Sequence, residues 1–204
     1  MGFKINFNTS AKAPTPSQSY YDTKARFQSI LQDKLNVSKP SASASTAAAN
    51  SDNDVSASGT VDFNDLTKRS GASATMIDQA LEGTNMAGLG QAFVDAEDKY
   101  GVNALFLVGL AAHESAYGSS RIAQSKQNLF GFQAYDASPF NSAKTFGTFE
   151  DGIDSVAEYL KTSYLTPGGK YYNGASIDAV NKRYATDQNW ANAIKKHVQN
   201  MTGA

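Results

Sequence analysis

The chain has 204 residues, enough for one domain and a tail or at most two small domains. Eighteen Lys and Arg against 19 Asp and Glu leave a net charge of −1, which gives no general case for binding nucleic acid or an anionic membrane. Cysteine is absent, excluding disulfides, Cys-ligated metals and a cysteine nucleophile, and the two histidines, His113 and His197, are too few for a His-rich zinc site.

The opening MGFKINFNTSAKAPTPS lacks a charged start followed by a long apolar core, so it does not read as an ordinary secretory signal. No apolar stretch approaches the ~20 residues a membrane span needs. From Tyr20 to Leu35, the residues Phe27, Ile30, Leu31 and Leu35 recur at helical spacing, predicting a short amphipathic helix, either transient within a disordered tail or docking on a partner. Residues 36–60 are rich in Ser, Ala and Asn with almost no large apolar side chain. Such a segment buries too little to offset its ordering entropy and is expected to be a flexible linker. The expected division is therefore a disordered arm over 1–60 and a catalytic domain over 61–204.

Past residue 61 the apolar pattern becomes helical. Ser73 is placed to cap a helix carrying Ile77 and Leu81 that stops near Gly83. Leu89, Phe93, Ala96 and Tyr100 share one face of the next helix, which Gly101 ends. Residues 105–117 read LFLVGLAAHESAY, an almost wholly apolar helix that belongs in the interior and ends in one carboxylate, Glu114. Thr148 and Asp151 form a capping pattern ahead of Ile153, Val156, Leu160 and Tyr164. The PGG at 167–169 marks a turn. Ser176 is a cap for a helix with Ile177 and Val180, and Asp187 for a last helix whose Trp190, Ile194, Val198 and Met201 face inward. The expected class is mainly α, an α+β fold with at most a small β-hairpin near residues 130–147.

The carboxylate of Glu114 would meet a low dielectric and the negative end of its helix dipole, both of which favour the protonated form. A carboxylic acid that stays protonated near neutral pH suits the general-acid role in glycoside hydrolysis. The adjacent His113 invites a zinc reading, but HESAY has Tyr117 where the H-E-x-x-H pattern needs its second histidine. No metal or cofactor is expected.

From Glu114 the sequence runs ESAYGSSRIAQSKQNLFGFQAYDASP, with FGTFEDGIDSVAEYL and RYATDQNWANAI downstream. These ES-x-x-G-[ST]-S, N-x-FG and YATD blocks, in this order, resemble glycoside hydrolase family 73, the endo-β-N-acetylglucosaminidases that cut bacterial peptidoglycan. The similarity covers about Gly71 to the C-terminus. It implies a lysozyme-like, mainly helical fold, Glu114 as catalytic acid and an active-site role for Tyr184. Many family members carry a longer polar lobe after the N-x-FG block that often supplies a second carboxylate. Here the interval from Gly131 to Thr148 is short, as in the autolysin-type branch.

That shortness leaves the second catalytic group open. Asp136, in the loop that a lysozyme-like fold brings over the cleft, is the best-placed carboxylate and also an ordinary turn-former in YDASP. The alternative needs no second carboxylate: the substrate's own acetamido oxygen attacks the anomeric carbon while the Tyr184 hydroxyl steadies it. Asn128 and Phe130 fit a loop shaping the cleft floor and, with Tyr135 and Asp187, complete the substrate-binding candidates. Phe140, Tyr171 and Tyr172 are further aromatics able to stack on sugar faces or simply to pack.

The expected function is hydrolysis of the glycosidic bond after N-acetylglucosamine in peptidoglycan glycan strands. Rival expectations are a muramidase or lytic transglycosylase on the same fold, and a structural component of a flagellum or phage tail that only retains the domain. With no ordinary signal, delivery to the cell wall is expected through flagellar export or carriage by a phage particle, the N-terminal arm contacting the carrier.

Overall fold

The computed structural model describes residues 59–134 and 138–203. The amphipathic helix expected at 20–35 and nearly all of the linker expected at 36–60 lie outside these residues, as do Tyr135 and Asp136. The regular structure of the described residues is helical: α1 (Ala74–Leu81), α2 (Gly90–Tyr100), α3 (Ala104–Ser115), α4 (Arg121–Lys126), α5 (Pro139–Ser142), α6 (Phe149–Leu160), α7 (Ile177–Tyr184) and α8 (Trp190–Thr202). One π-helical turn, Lys161–Leu165, continues α6 and buries the successive residues Tyr164 and Leu165.

Most helix starts carry the caps their sequences predict. Ser73 accepts from the Met76 amide, Ser176 from the Ala179 amide, and Thr148 with Asp151 closes a reciprocal capping box. Gly101 ends α2 in the left-handed conformation at φ 63°, which costs glycine little. The PGG turn is present, with the Gly169 amide bonded to Thr166 O at 2.8 Å. Asp187 departs from its expected place. Asn189 occupies the N-cap of α8 without a side-chain bond, and Asp187 instead makes a turn two residues upstream, Oδ1 accepting from the Asn189 amide at 2.8 Å.

Helix α3 is the axis of the fold, with every residue from Ala104 to Ala112 buried. Asn103 caps it through Oδ1 on the Phe106 amide while its Nδ2 donates to Thr60 O and Lys68 O, tying the extended segment 59–72 to the helix start. The buried Glu97 of α2 strengthens the tie by accepting from the Ser70 amide, the Ser70 hydroxyl and the Ala104 amide. α8 lies directly against α3 where Gly109 leaves room: a Cβ there would stand 2.8 Å from Val198 Cγ2. Ile194, Val198 and Met201 of α8 join Leu66, Ile77, Leu81, Phe93, Ile153 and Leu160 in one continuous core.

No strand forms among the described residues, in keeping with the expectation of at most a small hairpin near 130–147. That stretch holds the short helix α5 and an irregular loop. The Asn128 side chain organises that loop without a ladder: Nδ2 donates to Phe132 O and Lys144 O, and Oδ1 accepts from the Phe130 and Phe132 amides. Backbone bonds from Lys144 to Phe132 O and from Phe146 to Lys126 O close the loop on itself.

Candidate active site

The site begins where α3 ends. Ala116, Tyr117 and Gly118 all have positive φ, a tight left-handed exit from the helix just after Glu114. Ser115 holds this exit from within: its hydroxyl donates to Ala111 O at 2.6 Å and accepts from the Gly118 amide at 2.7 Å. Gly118 sits at φ 78°, and a Cβ there would come within 3.2 Å of the Asn85 backbone, so its lack of a side chain answers two constraints together. Ser120 then caps α4 by accepting from the Ala123 amide. The ES-x-x-G-x-S spacing is thus a local device that turns the chain sharply while leaving Glu114 fixed on the last turn of a buried helix.

Glu114 retains some exposure, so a ligand can reach it, yet protein atoms surround its carboxyl densely. Burial pushes that carboxyl up to about 7, and the hydrogen bond it accepts on Oε1 from the Trp190 indole, at 2.9 Å, pulls partly the other way. Among the described residues no other carboxylate contributes to the shift. Tyr184, the last residue of α7, is buried with its ring 5.0 Å from Trp190 and 5.5 Å from Tyr164. Its phenol is held well above the ordinary range, first by burial and next by the nearby charge of Glu114. The Tyr184 hydroxyl therefore stays protonated beside Glu114, available as a donor.

The two histidines form a separate cluster on the neighbouring face. Their rings are 5.8 Å apart, and His197 Nδ1 shares a 2.9 Å hydrogen bond with the Tyr117 hydroxyl. Burial holds His197 down to about 4 and also lowers His113, while the charge of Asp187 opposes the latter shift. Both imidazoles are neutral at pH 7, and no group of three or more metal-ligating side chains occurs among the described residues.

The remaining sequence candidates divide sharply. Phe130 is fully buried in the core and Asn128 has all four amide hydrogen-bonding positions occupied by backbone, so neither offers a sugar a surface. Both shape the loop, the structural part expected of them beside their candidacy for substrate binding. Asp187 is exposed, and its charge acts on His113. Phe140 packs under the Arg121 guanidinium at 4.0 Å, Tyr171 lies 5.1 Å from Tyr164, and Tyr172 is exposed. Sequence reasoning treated Trp190 only as a core residue. Its place in RYATDQNWANAI, six residues after Tyr184, was the available signal.

The described geometry finds matches among known proteins. The family model described as mannosyl-glycoprotein endo-beta-N-acetylglucosaminidase matches residues 90–203. A Streptococcus pneumoniae protein provisionally named endo-beta-N-acetylglucosaminidase is 36% identical over 137 residues, covering 65% of this chain and 21% of that protein. The beta-N-acetylglucosaminidase of Bacillus subtilis is 29% identical over 150 residues, 63% of this chain and 17% of its own. The chain thus spans about a fifth of the length of the curated relatives it matches. Among solved structures, autolysin E of Staphylococcus aureus, crystallised as a catalytic mutant with a glutamate replaced by alanine and bound to the disaccharide NAG-NAM, aligns with a TM-score of 0.56. The identity is 25%, over 69% of this chain and 71% of that one.

Proposed function

Because the chain belongs to the glucosaminidase family, which accounts for residues 90–203, we propose that it is a peptidoglycan hydrolase cleaving the β-1,4 bond after N-acetylglucosamine, with Glu114 as general acid. The observation that carries this reading is the Glu114 carboxyl, reachable from solvent yet held up to about 7. Near neutral pH such a group is substantially protonated and can give its proton to the glycosidic oxygen as the bond to the anomeric carbon breaks. The catalytic glutamate and NAG-NAM ligand of the autolysin E neighbour support it.

Mass spectrometry of borohydride-reduced fragments from purified peptidoglycan tests the proposal, with Glu114→Gln as control. Glucosaminitol ends are expected. Muramitol or 1,6-anhydro ends would move the assignment to a muramidase or a lytic transglycosylase, and absence of cleavage by the folded chain would leave a structural role.

For the second half of the reaction, the acetamido-assisted path is supported by the Tyr184 phenol, on which the charge of Glu114 acts. In this reading the substrate's acetamido oxygen attacks the anomeric carbon and Tyr184 orients it or stabilises the developing charge. Asp136 is the competing water-activating base. We assign residues 1–60 to delivery toward the cell wall, on a flagellar or phage carrier, and residues 61–204 to chemistry. No helix among the described residues is long and apolar enough to cross a membrane.

A further inference from the structure

Glu114 accepts a hydrogen bond from a group with no other option. The Trp190 indole N–H is a donor only, so the oxygen facing it must accept. With Oε1 engaged at 2.9 Å, the acidic hydrogen of a protonated Glu114 belongs on Oε2. We propose that Trp190 is a positioning residue for the general acid: its N–H fixes the carboxyl plane and assigns Oε2 as the oxygen that protonates the leaving group. In that step the Oε2 proton moves to the glycosidic oxygen, which keeps the electron pair of the breaking bond. Glu114 becomes a carboxylate still held at Oε1. The inference rests on Glu114 being the acid.

Trp190 is held from several sides. It is the first residue of α8, buried, with its amide bonded to Asp187 O at 3.3 Å and its ring 5.0 Å from Tyr184 at an interplanar angle of 32°. Tyr184 in turn packs on Tyr164 of the π-helical turn. The donor thus reaches Glu114 from a ring backed by two further aromatics, and the close α3–α8 contact at Gly109 sets the distance between the two helices. A carboxyl on a flexible mount samples many orientations; one held in plane at one oxygen keeps the other aimed, and such orientation is a recognised part of catalytic rate.

The titratable groups around Glu114 are distinguishable. The charge of Glu114 acts on Tyr184 of α7, His113 neighbours Glu114 on α3, His197 of α8 faces His113 and Tyr117, and Asp187 acts on His113. The N–H of Trp190 favours the ionised carboxyl, so its loss raises the Glu114 titration.

The test compares the full-length chain with Trp190→Phe and with β-(3-benzothienyl)alanine at position 190, which keeps the bicyclic shape and lacks only the N–H. Two readouts are kinetics on purified glycan strands across pH and the carboxyl 13C NMR titration of Glu114, which needs no substrate. The benzothienyl form is expected to lose about 10-fold in kcat, the size of one hydrogen bond to a charged group, with KM within about 2-fold. Its alkaline limb and the 13C midpoint should both move upward. Trp190→Phe should move the same way if it folds. An unshifted 13C midpoint, or a folded benzothienyl form with wild-type kcat, overturns the inference. Wild-type turnover by folded Glu114→Gln overturns instead the acid assignment beneath it.

Discussion

The raised Glu114 titration links activity to stability in opposite senses. An unfolded glutamate ionises near 4.5, whereas the folded one holds its proton to about 7. Between these values the folded state binds more protons than the unfolded state, so stability falls as pH rises through that window and levels off above it. Glu114→Gln removes the charge that is poorly solvated, and its Oε1 can still accept from Trp190. We expect turnover to drop on the order of 10²-fold or more, while stability at pH 8 rises on the order of 1 to 3 kcal/mol, toward the lower end because the side chain is partly exposed. At pH 4 denaturant melts of the two proteins should coincide. Equal melts at pH 8 would show that Glu114 is not strained by burial. Wild-type activity should fall as pH rises through about 7, where the acid form is lost. For the second group, Tyr184→Phe is expected to lower kcat at least as much as Asp136→Asn, and Asp136→Asn much less than Glu114→Gln. The reverse order on one glycan substrate would favour a two-carboxylate path. Glu114 was legible in the sequence because an apolar run ending in one acid carries its environment with it. The Trp190 contact was not, since it joins residues 76 positions apart and depends on how two helices meet.

At the scale of elements, the helices were legible wherever a cap and a face lie within a few residues. Ser73, Thr148 with Asp151, and Ser176 cap the helices they were expected to cap, because that bond closes between neighbours. Near 130–147, where at most a small hairpin was expected, order comes instead from one buried amide bridging carbonyls at Phe132 and Lys144, a pattern without period that a sequence does not display. Nor does sequence reveal that Gly109, amid an apolar run, is the contact point of α3 with α8. Gly109→Ala tests the importance of that approach. The new methyl would stand 2.8 Å from Val198 Cγ2 and 3.2 Å from Ile194 Cγ2, atoms of β-branched side chains with little rotational freedom on a helix. Alanine's better helix propensity, worth up to ~1 kcal/mol, is opposed by overpacking of about 1–3 kcal/mol. We expect a net loss of stability and, because α8 carries Trp190, reduced activity at temperatures where the protein remains folded. A variant as stable and active as wild type would mean that the helices can separate without disturbing Glu114.

At the scale of the whole molecule, the relevant boundary is neither end of the family match. That match begins at Gly90, the first residue of α2, yet the described fold begins at Gly59. Between them, Leu66, Ile77, Leu81 and Met86 are each at most 1% exposed, and Leu66 exchanges backbone bonds with Ala175 and Asn103. The Phe63 carbonyl accepts from the Ile177 amide at the start of α7, so this segment braces the helix that carries Tyr184. Glu97 adds a reason of its own, because removing Ser70 would leave its buried carboxylate with one fewer partner residue, a costly arrangement. The sequence sets the expected division at residues 60 and 61, where large apolar side chains resume after the Ser/Ala-rich stretch. The expectation follows for two truncations. A chain beginning at Gly59 should melt cooperatively and cleave soluble glycan fragments within a few-fold of the full-length protein. A chain beginning at Gly90 loses Leu66, Ile77, Leu81 and Met86 together with the buried Leu89, each worth about 2–5 kcal/mol when truncated to alanine, against a total stability of only about 5–15 kcal/mol. It should therefore fail to melt cooperatively and show no activity, as measured by calorimetry and reducing-end release. If it instead folds and cleaves, segment 59–89 is an accessory and the α2 to α8 helices are self-sufficient. If the chain beginning at Gly59 unfolds, the first 58 residues contribute to the core and the proposed division into arm and catalytic domain fails.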